Sequence, residues 1–134
     1  MKVFANVTMG VNINDSGLPW SQWILDGRKT IETRNRNTLK AYIGKTVGVV
    51  QTGKGPAHLV GFITLGEPKI YITREEWAAD RDKHRIPEGS DYDFVDGTVK
   101  YGYPVMNPQR IKPIPVKTRG MVSRYIGDLV DGIS

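Results

Sequence analysis

Apolar and polar positions alternate with a period of two over several short stretches, and the first stretch, from Val3 to Val11, predicts a strand. Asn14-Asp15-Ser16-Gly17 predicts a turn. Pro19 suits a first helical turn, and Trp20, Trp23, Ile24 and Gly27 then recur at the spacing of one helical face. A helix over 18–27 is therefore predicted, with Gly27 as its stop. From Lys29 to Arg34 the chain is rich in β-branched residues and alternates, which places Thr30, Glu32 and Arg34 on one face of a strand and Ile31 and Thr33 on the other.

Two Val- and Leu-rich runs, 46–51 and 58–65, predict strands joined by the loop Thr52-Gly-Lys54-Gly-Pro56. Thr73 followed three residues later by Glu76 is a capping box, opening a helix to about residue 84. Asp96-Gly97 predicts a tight hairpin turn between two short strands. Further strands are expected over 101–106 and 110–117, where Pro113 and Pro115 call for an edge or irregular position. Met121, Val122, Tyr125, Ile126, Leu129 and Val130 repeat at helical spacing and predict a closing helix that begins near Arg119.

Many short strands with a helix near each end favour an α+β fold, a small mixed β-barrel of about five to seven strands with helices packed at its ends. Regular strand-helix alternation, which a doubly wound parallel sheet needs, is missing. The length of 134 residues suits one domain over 1–134. Trp23, Ile24, Ile31, Val47, Val49, Phe62, Ile63, Val105 and Ile126 are the expected core.

Composition narrows the function classes. The chain has no cysteine, which excludes disulfides, Cys-ligated zinc and thiol catalysis and fits a reducing cytoplasm. No apolar run approaches the roughly 18 residues that span a bilayer, and the N-terminus lacks the apolar centre of a signal peptide. A cytoplasmic location without membrane attachment is expected. The net charge of +5 is unevenly placed: residues 1–72 carry +5, residues 73–96 carry −4 and residues 97–134 carry +4. Basic blocks around an acidic insert suit a polyanion such as RNA, through phosphate contacts and counterion release. The same charge also serves plain solubility.

The segment Gly27-x-Lys29-x-x-Glu32-x-Arg34 concentrates the candidate chemistry. Glycine ends the helix, and the strand after it projects a carboxylate and a guanidinium onto one face. Lys29 and Arg34 offer N–H donors to phosphate or carbonyl oxygens. Glu32 can accept from a base amino group, orient Lys29, or act as a general base. An ordinary Glu–Lys–Arg surface network is the alternative. Arg119, Ser123 and Arg124, at the start of the predicted last helix, suit an anion, or are merely solvated. Trp20 and Trp23 share a face; Trp20 can stack on a base while Trp23 suits the core. Asp80 and Asp82 read as a solvated face, and Thr52-Gly-Lys54-Gly-Pro56, lacking a full phosphate-loop pattern, as a basic hairpin loop. His58 and His84 have no ligand-spaced partners, so no metal and no cofactor are expected.

At this tetrad, with Tyr42-Ile-Gly-Lys45, Gly61-Phe-Ile-Thr-Leu-Gly-Glu-Pro68 and the stretch from Pro104 to Val116 following in order, the chain resembles the ASCH family of the PUA-like superfamily. The resemblance covers most of the chain, least of all residues 73–96. It implies a barrel whose cleft, lined by Gly27, Lys29, Glu32 and Arg34, contacts RNA or a modified nucleoside. The family includes RNA binders, coactivator modules, a branch that hydrolyses acetylated cytidine and one credited with ribonuclease activity. In the amidohydrolase branch the motif is Lys-x-x-Thr with a threonine nucleophile, and here Glu32 occupies that position. The expected function is an RNA- or nucleotide-binding domain with a basic cleft around Lys29, Glu32 and Arg34. The alternative is a small hydrolase, a ribonuclease or nucleoside amidohydrolase, in which Glu32 activates water and Lys29 stabilises the oxyanion. Oligomeric state is left open.

Overall fold

A computed structural model describes residue 4 and residues 6–133. The predicted opening strand falls partly on Val3 and Ala5, outside the described residues; the first described strand is β1, Met9–Asn14. Helix α1, Trp20–Leu25, is followed by β2, Ile31–Arg34, a 3-10 turn at Lys40–Tyr42, β3, Thr46–Thr52, and β4, His58–Leu65. Strand β5, Lys69–Tyr71, leads to helices α2, Arg74–Ala79, and α3, Arg81–His84. The chain ends in β6, Lys100–Pro115, β7, Ser123–Tyr125, and helix α4, Gly127–Val130.

The strands form one mixed sheet in the order β2-β6-β4-β3-β1-β7, with β5 also paired to β6. Among the described strands, β1 and β3 are the one parallel pair, Gly10 opposite Gly48 and Ile13 opposite Gln51. Register shifts at Val49/Val50, Leu59/Gly61 and Phe62/Thr64 let the sheet bend. It curls into a half-barrel with β2 near one end and β1 near the other. One core fills the concave side, with Ile24, Ile31, Val47, Val49, Ile63, Tyr71, Trp77 and Val105. A second gathers Val50, Leu59, Phe62, Ile126 and Val130. Of the expected core, only Trp23 is partly buried, packing against the first cluster.

Helix α1 buries Trp20 and Ile24, four residues apart, together with Ser21 and Leu25. It lies close to the sheet because Gly61 has no side chain: a Cβ there would stand 2.5 Å from Leu25 Cδ2 and press on the Gln109 carbonyl. Asp15, itself buried, fixes the start of the helix by accepting from Ser21 N at 2.9 Å and Ser21 Oγ at 2.6 Å.

Four local expectations give way to tertiary contacts. The predicted helix over 73–84 keeps its capping box but breaks at Asp80, whose carboxylate accepts from Tyr71 Oη at 2.7 Å and Lys69 Nζ at 2.9 Å. Asp80 is thus buried rather than part of a solvated face. The Asp96-Gly97 turn joins no strands: Phe94 enters the core and Asp93 accepts from Trp77 Nε1, Gly89 N and Phe94 N, so residues 85–99 are held irregularly. The two late strands are one, β6. Beyond Pro104, where β2 stops pairing, the strand has an edge on which proline is tolerated. The closing helix is replaced by β7 and the short α4, because β1 offers an open edge on which Met9, Gly10 and Val11 pair with Tyr125, Arg124 and Ser123. No helix among the described residues is long and apolar enough to cross a membrane.

Candidate functional site

The two ends of the curled sheet approach each other without pairing as strands, and a cavity of about 440 Å³ lies at this seam. Asn12 and Asn14 of β1 and Glu32, Thr33 and Arg34 of β2 form opposite walls, and Trp20 of α1 and Lys29 also line it. Arg34 Nη2 crosses the seam to the Asn12 carbonyl at 3.1 Å.

Lys29 reaches the cavity because the chain reverses after α1. Gly27 takes a left-handed φ of 86°, a conformation costly for residues with a Cβ, and Lys29 N then donates to the Trp23 carbonyl at 3.0 Å. The side chain runs inward and is only 1% exposed. Its Nζ donates to the His84 carbonyl at 2.5 Å, stands 3.7 Å from Glu32 Oε1 and lies 4.9 Å from the centre of the Trp20 ring. The His84 carbonyl belongs to the last turn of α3, where such groups lack intrahelical partners. Burial pushes the Lys29 amine down to about 8 against the pull of Glu32, and the Arg34 charge adds to the depression.

Strand alternation places Glu32 and Arg34 together as expected, with Ile31 turned into the core. Arg34 Nη2 donates to Glu32 Oε2 at 3.0 Å, so Glu32 stands between a lysine and an arginine. The Nε of Arg34 is buried with no hydrogen-bond partner among the described residues. Lys29, Glu32 and Arg34 therefore converge, and Trp20 joins them from the helix.

Among the other candidates, Arg124 lines the cavity and is held by Nε to Asn12 Oδ1 at 2.9 Å and by Nη1 to the Thr118 carbonyl at 2.9 Å. Ser123 does not face it; its Oγ pairs with Tyr42 Oη at 2.7 Å. Arg119 is exposed and outside the lining, and Gly27 shapes the turn without lining the cavity. Residues 117–122 form no helix, so no helix N-terminus is present at Arg119.

Several lining residues escape a reading of the sequence. Asn12 is the hub of the seam: its carbonyl takes Arg34, its Oδ1 takes Arg124, and its Nδ2 donates to the Gly120 carbonyl at 2.8 Å. Lys100 lines the cavity from β6, and Tyr92 and Met121, 56% and 97% exposed, stand at its rim. Lys100 carried no local signal, since the core residues Tyr103 and Val105 have the opposite strand parity, and only the pairing with Tyr71 of β5 brings it to the site. The lining holds four cations, Lys29, Arg34, Lys100 and Arg124, against one carboxylate, Glu32. A larger cavity of about 940 Å³, near Phe62 and Gln109, has Lys45 as its single charged group among the described residues and no such constellation.

No protein-family model and no curated protein matches the sequence. Solved structures do. The ASCH protein of Zymomonas mobilis superposes with a TM-score of 0.72 at 16% identity, covering 96% of this chain and 92% of that one. A serine-to-alanine variant of that protein gives 0.73 at 18% identity, covering 94% and 96%. A tyrosine-to-phenylalanine variant gives 0.71 at 16% identity, covering 92% and 93%. The chain shares the fold of these ASCH structures, a small α+β architecture built on a curled mixed sheet.

Proposed function

We propose that the seam cavity binds RNA or a nucleotide, with Lys29, Glu32 and Arg34 as its central groups. The observation that carries this reading is the convergence of those three side chains with Lys100 and Arg124 in one cavity of about 440 Å³, a size suited to a single small ligand or one nucleotide of a chain. Four cations against one carboxylate favour an anionic ligand. Glu32 supplies an acceptor for a base amino group, and the Trp20 ring gives an apolar wall beside Lys29. Arg119, exposed next to the rim residues Gly120 and Met121, extends the basic surface toward neighbouring phosphates. Gly27 sets the turn that aims Lys29, and Ser123 buttresses β7 through Tyr42. An RNA ligand also goes with a cytoplasmic location.

A second reading, hydrolysis of RNA or of a modified nucleoside, is favoured by one observation. A buried amine pushed down to about 8 lies 3.7 Å from a carboxylate, an arrangement in which Glu32 activates water and Lys29 stabilises a developing oxyanion. Purified protein incubated with RNA and a set of modified nucleosides, followed by mass spectrometry, separates the two. Unchanged RNA, bound with an affinity that falls steeply between about 50 and 200 mM salt, is the result expected of a binding domain. A new product abolished by Glu32→Gln establishes the hydrolase. Absence of both binding and product would remove the nucleic-acid reading altogether.

A further inference from the structure

Lys100 is the least compensated charge in the cavity wall. Its position in β6, opposite Tyr71 of β5, turns the side chain inward, and it is only 6% exposed. The ammonium makes one hydrogen bond, to Asn35 Oδ1 at 2.6 Å, and stands 5.7 Å from the centre of the Trp77 ring. It has no ion-pair partner among the described residues. Lys29 has Glu32 at 3.7 Å and Lys69 has Asp80 at 2.9 Å, so Lys100 differs from both. The nearby Asp93 does not fill the gap, since its oxygens are committed to Trp77 Nε1, Gly89 N, Phe94 N and Arg81. Burial accordingly pushes the Lys100 amine down, with Asp93 pulling in the opposite direction.

A buried ammonium with one neutral acceptor is costly, because two of its three N–H groups and its whole charge lack a counterpart. Packing gives no reason to retain it, since methionine has a similar stem without the charge. The cavity beside it supplies the reason. We propose that Lys100 Nζ, together with the Asn35 side chain, seats an anionic phosphate oxygen of the ligand, so that the cavity takes a phosphate-bearing nucleotide in preference to the corresponding neutral nucleoside. This rests on the nucleotide reading above and adds to it the part of the ligand that meets β6. The Asn35 Nδ2 group, with no protein partner among the described residues, is a second donor at the same place. A neutral nucleoside would leave the excess positive charge of the wall unmatched.

The test uses calorimetry and thermal unfolding with inorganic phosphate, the four common nucleosides, their 5′-monophosphates, and a short single-stranded RNA with and without a 5′-phosphate. Wild-type protein should bind its preferred monophosphate at least about tenfold more tightly than the nucleoside, the size of one charge-assisted hydrogen bond. Inorganic phosphate alone should raise its melting temperature. Lys100→Met should lose both effects while melting, without ligand, no lower than wild type. Asn35→Asp supplies the missing carboxylate, so it should remove the phosphate effects in a folded, equally stable protein even if Lys100→Met does not express. A 5′-phosphate that strengthens RNA binding identifies a terminal phosphate; RNA that needs none yet weakens with Asn35→Asp identifies an internal one. Either supports the seat. Equal affinity of wild type for nucleoside and monophosphate, or a phosphate gain that survives both substitutions, overturns it. If RNA binds as tightly to Asn35→Asp as to wild type, this inference fails and the functional reading stands. If phosphate stabilises wild type but no nucleoside, nucleotide or RNA binds, the functional reading fails instead.

Discussion

Arg34 Nη2 bonds the Asn12 main-chain carbonyl at 3.1 Å and the Glu32 carboxylate at 3.0 Å, so a single guanidinium joins two strands of an incompletely closed sheet. Neither strand is a ladder neighbour of the other, and β1 and β2 meet there through side chains rather than through backbone pairing. The cavity exists because the closure is of this kind.

Arg34→Lys tests that bridge. Both bonds come from the N–H groups of Nη2, held in the guanidinium plane; a lysine keeps the charge but carries a freely rotating ammonium on a shorter stem without that fixed geometry. Urea unfolding should show a loss of about 1–2 kcal/mol, the value of one or two hydrogen bonds to partly buried groups. Unchanged stability would mean that the Arg34 bridge contributes nothing to closing the seam.

The buried charges near Lys29 should respond unequally to removal. Glu32→Gln leaves Lys29 as a buried cation facing Arg34 and should cost about 3–5 kcal/mol near neutral pH. Part of that loss should be recovered as pH rises, because without the pull of Glu32 the buried Lys29 amine gives up its proton still more readily. Lys29→Met leaves Glu32 still paired with Arg34 and should cost less. Denaturation midpoints of the two variants at pH 7 and pH 9 check the order, which is wrong if Lys29→Met is the more damaging.

Acid should unfold the protein in two stages. His84 is buried, accepts from Ile86 N at Nδ1 and uses Nε2 toward the Trp77 carbonyl, so protonation would set one donor against another. Burial pushes its pKa down from 6.5 to about 4. A depressed pKa in the folded state means stability that is full above pH 6.5 and is lost as pH falls toward 4. Asp93 follows. Burial would raise it, but the Gly89 and Phe94 N–H groups, Trp77 Nε1 and Arg81 together hold it at about 2. Its contribution is full above pH 4 and disappears as pH falls to 2. Urea midpoints measured from pH 7 to pH 2 should decline across both windows, and His84→Gln should flatten only the upper one.

Much of the arrangement was legible in residue order. The alternation from Ile31 to Arg34 put Glu32 beside Arg34, and Gly27 marked the helix stop, whereas the inward direction of Lys29 was not fixed by any local pattern. The capping box at Thr73 stands as read. The failures share a cause. Met121, Val122, Tyr125 and Ile126 fit a helix by spacing, but pairing with the open edge of β1 decided their conformation. Asp96-Gly97 has the chemistry of a hairpin turn but no strands to join, because Asp93 and Phe94 are fixed by Trp77 and the core. Asn12 and Lys100 enter the site only through register and curl, which no local pattern contains. Anchors of this kind are invisible until distant strands are brought side by side.

The central claim, that the seam cavity is where the ligand binds, is tested most directly by the affinity of a labelled single-stranded RNA, measured by fluorescence anisotropy at one fixed salt concentration. Wild type, Lys29→Ala, Glu32→Gln and Lys54→Ala are compared at a temperature where circular dichroism shows all four folded. Lys54 lies in the exposed loop between β3 and β4, outside the cavity lining, and keeps the comparison honest for bulk charge. The account predicts that Lys29→Ala and Glu32→Gln each weaken binding at least about tenfold, equivalent to about 1.4 kcal/mol, while Lys54→Ala has a clearly smaller effect. Equal affinities for all four proteins, or a loss confined to Lys54→Ala, would contradict it.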